Sequence, residues 1–272
     1  MTRIHLPALC LALAACAGAP AATGPGPAPV RRAHGPLAPL RYGPGGPWGY
    51  RLTRQDTMYV TLPNGDRQIQ VLDRMLTFRW NVTAGAGGGE LVITVDSVRL
   101  GGLPDALRRA LEDSTRGAVL RGPLAADGRG MALSVAPDNP VTQASAATVT
   151  WLLPALPGVT AADTLGVTDT LRGTTRFNVV DAAEVTVRQQ RAVAADSAWL
   201  VTAEATLTRD GVSPDLTLTG SGARWGTTLV EPDGRILAAS GRDSVAMSIT
   251  VPSMGQQFSI LQFTTYQLTP LP

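Results

Sequence analysis

Hydrophobic and polar residues alternate along most of the chain from residue 50 to the C-terminus. Between positions 244 and 251, the apolar side chains of Val245, Met247, Ile249 and Val251 alternate with small or polar ones. A period of two residues predicts β-strands that bury one face and expose the other. Strands are predicted on this basis at 50–61, 67–82, 90–100, 118–120, 131–135, 174–180, 184–193, 198–208, 216–230, 235–239, 243–251 and 257–268.

Turn-forming residues separate many of these predicted strands. Combinations of proline, asparagine, aspartate and glycine occur at 63–66, 127–128, 209–211 and 232–234. These residues tolerate the backbone conformations of tight turns, so turns are predicted at all four places. Consecutive strands joined by short turns run antiparallel.

Two helices are predicted between the strands. The first covers 104–116, where Pro104 favours a helix start and Gly117 a helix end. The second covers 146–153, with Ser145 as its N-cap.

The predicted fold is mainly β, with long antiparallel strands in curved sheets and one or two short helices. Both a sandwich and a half-barrel are compatible with it. Asp-Gly-Arg occurs at 127–129 and again at 233–235, so two similar halves, 48–140 and 168–272 joined by 141–167, remain an alternative to a single domain over 48–272.

The first 15 residues have the features of an export signal. Arg3 precedes an apolar run at 4–14 that is too short to span a bilayer of about 30 Å. The run ends in Leu13-Ala14-Ala15-Cys16, which resembles the lipobox of bacterial lipoproteins. The alternative is an ordinary signal peptide cleaved near Ala19 or Ala22.

The lipobox resemblance implies a specific maturation and location. Residues 1–15 would be removed as the signal peptide, and Cys16 would carry the acyl chains that anchor the protein to a membrane. Because alanine rather than aspartate follows Cys16, the resemblance further implies the outer membrane, with the domain facing the periplasm.

A spacer is predicted between this anchor and the folded domain, over residues 16–47. From 17 to 49, 16 of 33 residues are proline or glycine. Such a segment buries too little apolar surface to offset its conformational entropy, which predicts a disordered tether.

Composition excludes several classes of function. The chain has 23 basic residues, all of them arginine, against 21 acidic ones, so its charge is nearly balanced. Nucleic acid is therefore not an expected partner. Both cysteines, Cys10 and Cys16, precede the predicted domain, which excludes disulfides and thiolate metal sites within it.

The usual catalytic residue types are also missing from the predicted domain. The two histidines are His5 in the leader and His34 in the tether, and the chain contains no lysine. Histidine-dependent triads, zinc sites of the zincin type and Walker A loops are thereby excluded. No catalytic residue, metal site or cofactor is predicted, and the protein is expected not to be an enzyme.

The remaining motifs are interpreted as structural. Gly220-Ser221-Gly222 is interpreted as a strand bulge or a close backbone approach, and the glycine-rich 85–89 as a hairpin tip. Asp163 and Asp169 begin Asp-Thr-Leu sequences that lack the glycine of aspartic proteases, so they are assigned to loops or caps. Four further acids are interpreted as solvated: Asp96, Asp181, Glu184 and Glu204.

Large aromatic residues have two interpretations, as core or as the lining of an apolar groove for a lipid or peptide. Core packing is favoured for each of Trp80, Trp151, Trp199, Trp225, Phe258 and Phe263. The strand layout is similar to that of uncharacterised β-rich envelope lipoproteins and, more distantly, of the half-barrel lipoprotein carriers of the periplasm.

The hypothesis from the sequence is therefore a non-catalytic envelope lipoprotein whose β-sheet domain binds an envelope protein or an apolar ligand. A glycan hydrolase using two carboxylates and a purely structural envelope module are the alternatives.

Overall fold

The computed structural model of the chain describes residues 37–85, 88–128, 132–156, 165–177 and 180–272. Within them the elements are β1 Gly45–Thr61, β2 Arg67–Gly85, β3 Gly88–Gly101, α1 Asp105–Thr115, β4 Val119–Leu124, β5 Ser134–Ala136, α2 Pro140–Leu152, β6 Leu165–Phe177, β7 Val180–Ala195, β8 Ala198–Ser213, β9 Leu216–Val230, β10 Ile236–Val251, a 3₁₀ turn Pro252–Met254 and β11 Gln256–Pro270. No helix in this part of the chain is long and apolar enough to cross a membrane.

All of these strands belong to one open sheet. Its order is β5-β4-β3-β2-β1-β11-β10-β9-β8-β7-β6, and the neighbouring strands are antiparallel. The mainly-β antiparallel prediction is confirmed. Helix α2 contacts both edge strands, β5 and β6, so the sheet bends around this helix. A single bent sheet corresponds to the half-barrel alternative rather than to a sandwich.

One face of the sheet, here called the inner face, is buried. Along β11 the side chains of Ile260, Thr264 and Leu268 are buried, whereas residues 261, 263, 265 and 267 between them are exposed. The uninterrupted register with β1 and β10 carries this alternation to the neighbouring strands. The period of two in the sequence therefore reflects burial of a single face.

The apolar side chains of the inner face form two clusters. The larger one surrounds α2 and includes Trp80, Trp151 and Trp199. The smaller one is formed mainly by β8 to β11 and includes Met247 and Ile260. The strand alternation thus supplies two separate apolar cores on one face.

The two ends of the half-barrel differ. The end that holds the first described residues is here called the entry end. There, residues 37–42 pack beside the turns at 125–128 and 231–234. Arg41 N donates to Pro232 O at 2.8 Å, and Tyr42 N donates to Ala126 O at 2.8 Å. The far end carries the turns at 62–66, 214–215 and 252–255.

Ordered packing begins earlier than the predicted domain boundary at residue 48. Leu40 and Tyr42, placed in the tether by the sequence, are buried in the larger cluster. Two buried apolar side chains stabilise this segment despite its many prolines.

The first predicted helix is confirmed as α1, but the start and cap of the second were wrong. Helix α2 begins at Pro140, and the Asn139 side chain caps it by accepting from the amides of Val141 and Thr142 at 2.9 and 3.0 Å. The predicted cap, Ser145, lies inside the helix and donates to the carbonyl of Val141. Asparagine followed by proline was the overlooked start signal.

Several predicted strand ends were wrong, and the strands predicted at 235–239 and 243–251 are one strand, β10. The turn predicted at 209–211 is part of β8, which continues to Ser213 and pairs with β9 throughout. Strand β6 begins at Leu165 instead of 174, so Asp169 lies in a strand and not in a loop or cap. Asp163 lies outside the described residues, as does Cys16.

Candidate functional site: a groove on the outer face of the sheet

The aromatic residues singled out from the sequence do not form one site. Trp80, Trp151 and Trp199 are buried in the core, which confirms the favoured interpretation for them. Trp225 and Phe263 are partly exposed, at 37% and 42%, so the core interpretation was wrong for these two. Phe258 is half-buried against the smaller cluster.

The acids singled out from the sequence separate in a similar way. Asp96 and Glu204 are exposed, which confirms the prediction for both. Glu184 was predicted to be solvated, and this was wrong: only 7% of the residue is exposed. Isolated acids in an alternating strand pattern do not reveal which of them have buried partners. The side chain of Asp181 is not among those that the structure describes.

Glu184 belongs to a belt of polar and charged side chains across the inner face, here called the buried belt. Its members follow the strand order from β7 to β2: Glu184, Arg209, Arg224, Asp243, Gln262, Thr264, Asp56, Arg54 and Arg74. Most of them lie between the two apolar clusters, where charges persist only when they are paired.

On the β7 to β10 side, Arg224 joins two carboxylates. Its Nη2 donates to Glu184 Oε1 at 3.4 Å and its Nε donates to Asp243 Oδ1 at 2.9 Å. Arg209 Nε donates to the other oxygen of Glu184 at 2.8 Å. Burial opposes the charge on Arg224, but Asp243 and Glu184 outweigh burial and raise the pKa of Arg224 above its ordinary value.

On the β11 to β2 side, Asp56 is the centre of the belt. It accepts from Thr264 Oγ1 at 2.6 Å and from Gln262 Nε2 at 3.1 Å. Arg54 Nη2 and Arg74 Nη2 lie 2.9 and 3.3 Å from its two oxygens. Burial opposes ionisation of Asp56, but the two arginines outweigh it, so the pKa of Asp56 lies well below its ordinary value.

This arrangement suits stabilisation of the fold better than glycan hydrolysis. A glycosidase needs one carboxyl that retains its proton through a raised pKa, and Asp56 is shifted in the opposite direction. Glu184 and Arg224 line a crevice of about 110 Å³ beside α2. That volume is well below the roughly 300 Å³ of small ligand pockets. In the described part of the chain, no three His, Cys, Asp or Glu side chains are grouped as metal ligands.

A larger cavity lies on the opposite, outer face of the sheet, near the far end. This groove has a volume of about 790 Å³. Its lining residues come from six neighbouring strands: Tyr59, Thr61, Arg67, Thr208, Asp210, Thr219, Gly220, Ser221, Ala246, Met247, Ser248, Ser259, Ile260, Leu261 and Phe263. The volume is within the range of functional ligand pockets, so we take this groove as the candidate site.

Strand register arranges the groove into two rows that run across the strands. The first row has charged ends and hydroxyl side chains between them: Arg67, Thr61, Ser259, Ser248, Thr219 and Asp210. The second row is apolar at one end and small or polar at the other: Ile69, Tyr59, Leu261, Ala246, Ser221 and Thr208.

Large apolar side chains are exposed at one side of the groove. Five of them lie on β2, β1 and β11 with 38% to 65% exposure: Tyr59, Ile69, Val71, Leu261 and Phe263. The rings of Tyr59 and Phe263 meet edge to face, with centroids 6.0 Å apart. Contiguous exposed apolar side chains with a polar surround are typical of interaction surfaces.

Two glycines of β9, Gly220 and Gly222, lie on the inner face and let β10 approach closely. A Cβ on Gly222 would lie 2.1 Å from Ser244 O, and one on Gly220 would lie 2.8 Å from Met247 Cγ. The strand register is unbroken here. The close-approach interpretation of Gly220-Ser221-Gly222 is therefore confirmed, and the bulge interpretation is not.

The groove lies far from the N-terminal segment. Trp199 Nε1 donates to Ala38 O at 2.9 Å at the entry end, whereas Asp210 lines the groove. The 11 residues from 199 to 210 in β8 extend about 36 Å at roughly 3.3 Å per residue.

Comparison with known proteins gives no functional assignment. No family model and no curated protein matches the chain. Among solved structures, the crystal structure of Pseudomonas aeruginosa OccK2 (OpdF) is similar to this chain. The alignment covers 83% of this chain and 98% of the OccK2 chain, with 8% sequence identity and a TM-score of 0.25. Similarity at that level supports no conclusion about this protein.

Proposed function

We propose that this protein is a lipid-anchored component of the bacterial envelope that binds a partner protein through the outer-face groove. The observation that carries the proposal is the exposed apolar side of the groove, with Tyr59, Leu261 and Phe263 open to solvent. Leaving these side chains in water is unfavourable by about 25 cal/mol per Å² of apolar surface. A partner that covers them would gain that free energy.

The groove lies at the end of the domain opposite to the first described residues. The described chain begins at the entry end, and the tether predicted to lead to Cys16 precedes it. The groove lies about 36 Å along β8 from that end. The first described residues, 37–42, therefore do not cover the groove, which is open to a partner.

The chemistry of the groove supports binding rather than catalysis. Its lining contains one carboxylate, Asp210, and one guanidinium, Arg67, at opposite ends of the first row. A pair of carboxylates flanking a substrate is absent from this lining, and so is a histidine or lysine that could activate the hydroxyl side chains. We therefore favour a non-catalytic role.

Photocrosslinking in cells tests the binding role. With p-benzoylphenylalanine in place of Leu261, we expect ultraviolet light to produce an adduct with an envelope protein. The matched control replaces Val193, which is as exposed as Leu261 but lies near the entry end. Substituting both Tyr59→Ser and Phe263→Ser should remove the adduct. An adduct with lipid alone, or equal adducts from both positions, would contradict a protein partner.

Fractionation tests the anchor independently. We expect the mature N-terminus to be an acylated Cys16, and the Cys16→Ser variant to lose both the acyl mass and membrane anchoring through it. Unchanged mass and membrane retention in that variant would exclude lipidation while leaving the groove hypothesis intact.

A further inference from the structure

We infer that the partner segment in the groove is an amphipathic α-helix of about four turns, lying across the strands with its N-terminus at Asp210 and its C-terminus at Arg67. This inference rests on the proposed function and specifies the partner of the same groove.

The dimensions of the groove suit a helix across the strands. The first row crosses six strands from β2 to β8, and five spacings of about 4.8 Å make it about 24 Å long. At 1.5 Å per residue, a helix of about 16 residues covers this distance. The two rows lie two residues apart along each strand, roughly 7 Å. Together with the side chains beside them, the rows form a surface wide enough to contact a helix of about 10 Å diameter.

Binding of an extended segment as an added strand is disfavoured. That mode needs a sheet edge with unpaired backbone groups. All six strands that line the groove are inside the sheet and pair on both sides. The groove therefore offers side chains rather than backbone groups, and the helix-in-groove mode is the one that uses an apolar side-chain surface.

Charge sets the direction of the helix. Arg67 and Asp210 are both exposed, and neither forms an ion pair with another described residue. A helix carries partial positive charge at its N-terminus and partial negative charge at its C-terminus. Asp210 therefore favours the N-terminal end and Arg67 the C-terminal end.

Other occupants match the groove less well. An acyl chain would cover Tyr59 and Leu261 but has no group that complements both charges. A second copy of this chain would present a sheet face of the same kind, which is less suited than a helix to enter a groove. Both remain distinguishable outcomes of the experiment.

Two crosslinking positions at the ends of the second row test the inference in the full-length protein in cells. Ile69 and Thr208 are both exposed and are each replaced by p-benzoylphenylalanine. Mass spectrometry then identifies the partner residue that each position reaches. We expect both adducts in one partner segment, about 16 residues apart, with the residue reached from position 208 nearer the partner's N-terminus.

Charge reversal provides a second readout. Asp210→Arg should lower the adduct yield from position 69 by about two- to five-fold, the effect of one charge at a helix terminus. The matched control is Glu204→Arg, an exposed acid on the same strand that does not line the groove. It should leave the yield unchanged.

Several results would overturn the inference. A spacing of about 7 partner residues would indicate an extended segment, and a reversed order would contradict the charge argument. In both cases the proposed partner binding would stand. Adducts with this chain itself would identify a second copy as the occupant. Absence of adducts from 69, 208 and 261 together would exclude the proposed function as well.

Discussion

Replacing Asp56 with asparagine tests whether the buried belt holds the half-barrel together. Asp56 is 1% exposed, and its carboxylate contacts both Arg54 and Arg74. Asn keeps the shape of the side chain but leaves two nearly buried guanidinium groups without their counter-ion. Removal of one partner from a buried ion pair destabilises proteins by about 3–5 kcal/mol, and we expect Asp56→Asn to reduce the free energy of unfolding by this amount.

Asp96→Asn is the matched control, because Asp96 pairs with Arg79 at 2.9 Å while both side chains are substantially exposed. Exposed pairs contribute about 0.2–1 kcal/mol. The assay is urea unfolding of the chain from residue 17 onward, followed by the fluorescence of the buried tryptophans. If the two variants differ by less than about 1 kcal/mol, the belt stabilises the fold no more than a surface pair and our reasoning is wrong.

The same substitution should change the acid dependence of stability. Because the pKa of Asp56 is lowered in the folded state, the stabilisation is complete above the pKa of the unfolded chain, near 3.8, and is lost as the pH falls below that value. Wild-type protein should therefore lose stability steeply below about pH 4, and Asp56→Asn should show a shallower loss. If the free energy of unfolding of the two proteins falls equally as the pH is lowered, the assignment of this loss to Asp56 is wrong.

The remaining predictions concern other parts of the inner face and the groove. Glu184→Gln should destabilise by about 3–5 kcal/mol, because Arg209 and Arg224 lose their shared acceptor, while Glu204→Gln should change stability by less than about 0.5 kcal/mol in the same urea titration. Gly222→Ala should lower the thermal midpoint, because the new Cβ would lie 2.1 Å from a backbone oxygen; an unchanged midpoint would show that β9 and β10 can separate without cost. Burial raises the pKa of Tyr50 to about 12, so folding favours its protonated form and stability should fall as the pH rises from about 10 to 12, visible as loss of circular dichroism.

Much of the fold could be predicted from local patterns. The period of two along 243–251 predicted a half-buried strand, and in β10 the odd positions Val245, Met247 and Ile249 are indeed buried. Turns such as 63–66 and helix α1 followed from residues that act on their immediate neighbours. Strand direction and the mainly-β class need little more than this local information.

The errors share one physical cause, which is that distant contacts can override local preference. Arg209-Asp210-Gly211 has the composition of a turn, yet β8 continues through it, because Arg209 is held by Glu184 on β7 and Gln262 on β11. Residues 37–47 are rich in proline, yet Leu40 and Tyr42 pack into the core. Neither contact can be read from the neighbouring sequence.

The candidate site depended on tertiary structure even more strongly. From the sequence, Tyr59 and Leu261 were assigned to ordinary strand positions and Asp210 to a turn. No feature of the neighbouring sequence links the three residues. They become neighbours because strand order places β1 beside β11 and register aligns the rows from Arg67 to Asp210. Side-chain alternation is a property of each strand, whereas a groove is a property of six strands in register, and the pairing of the first strand with the last is decided only by the folded sheet.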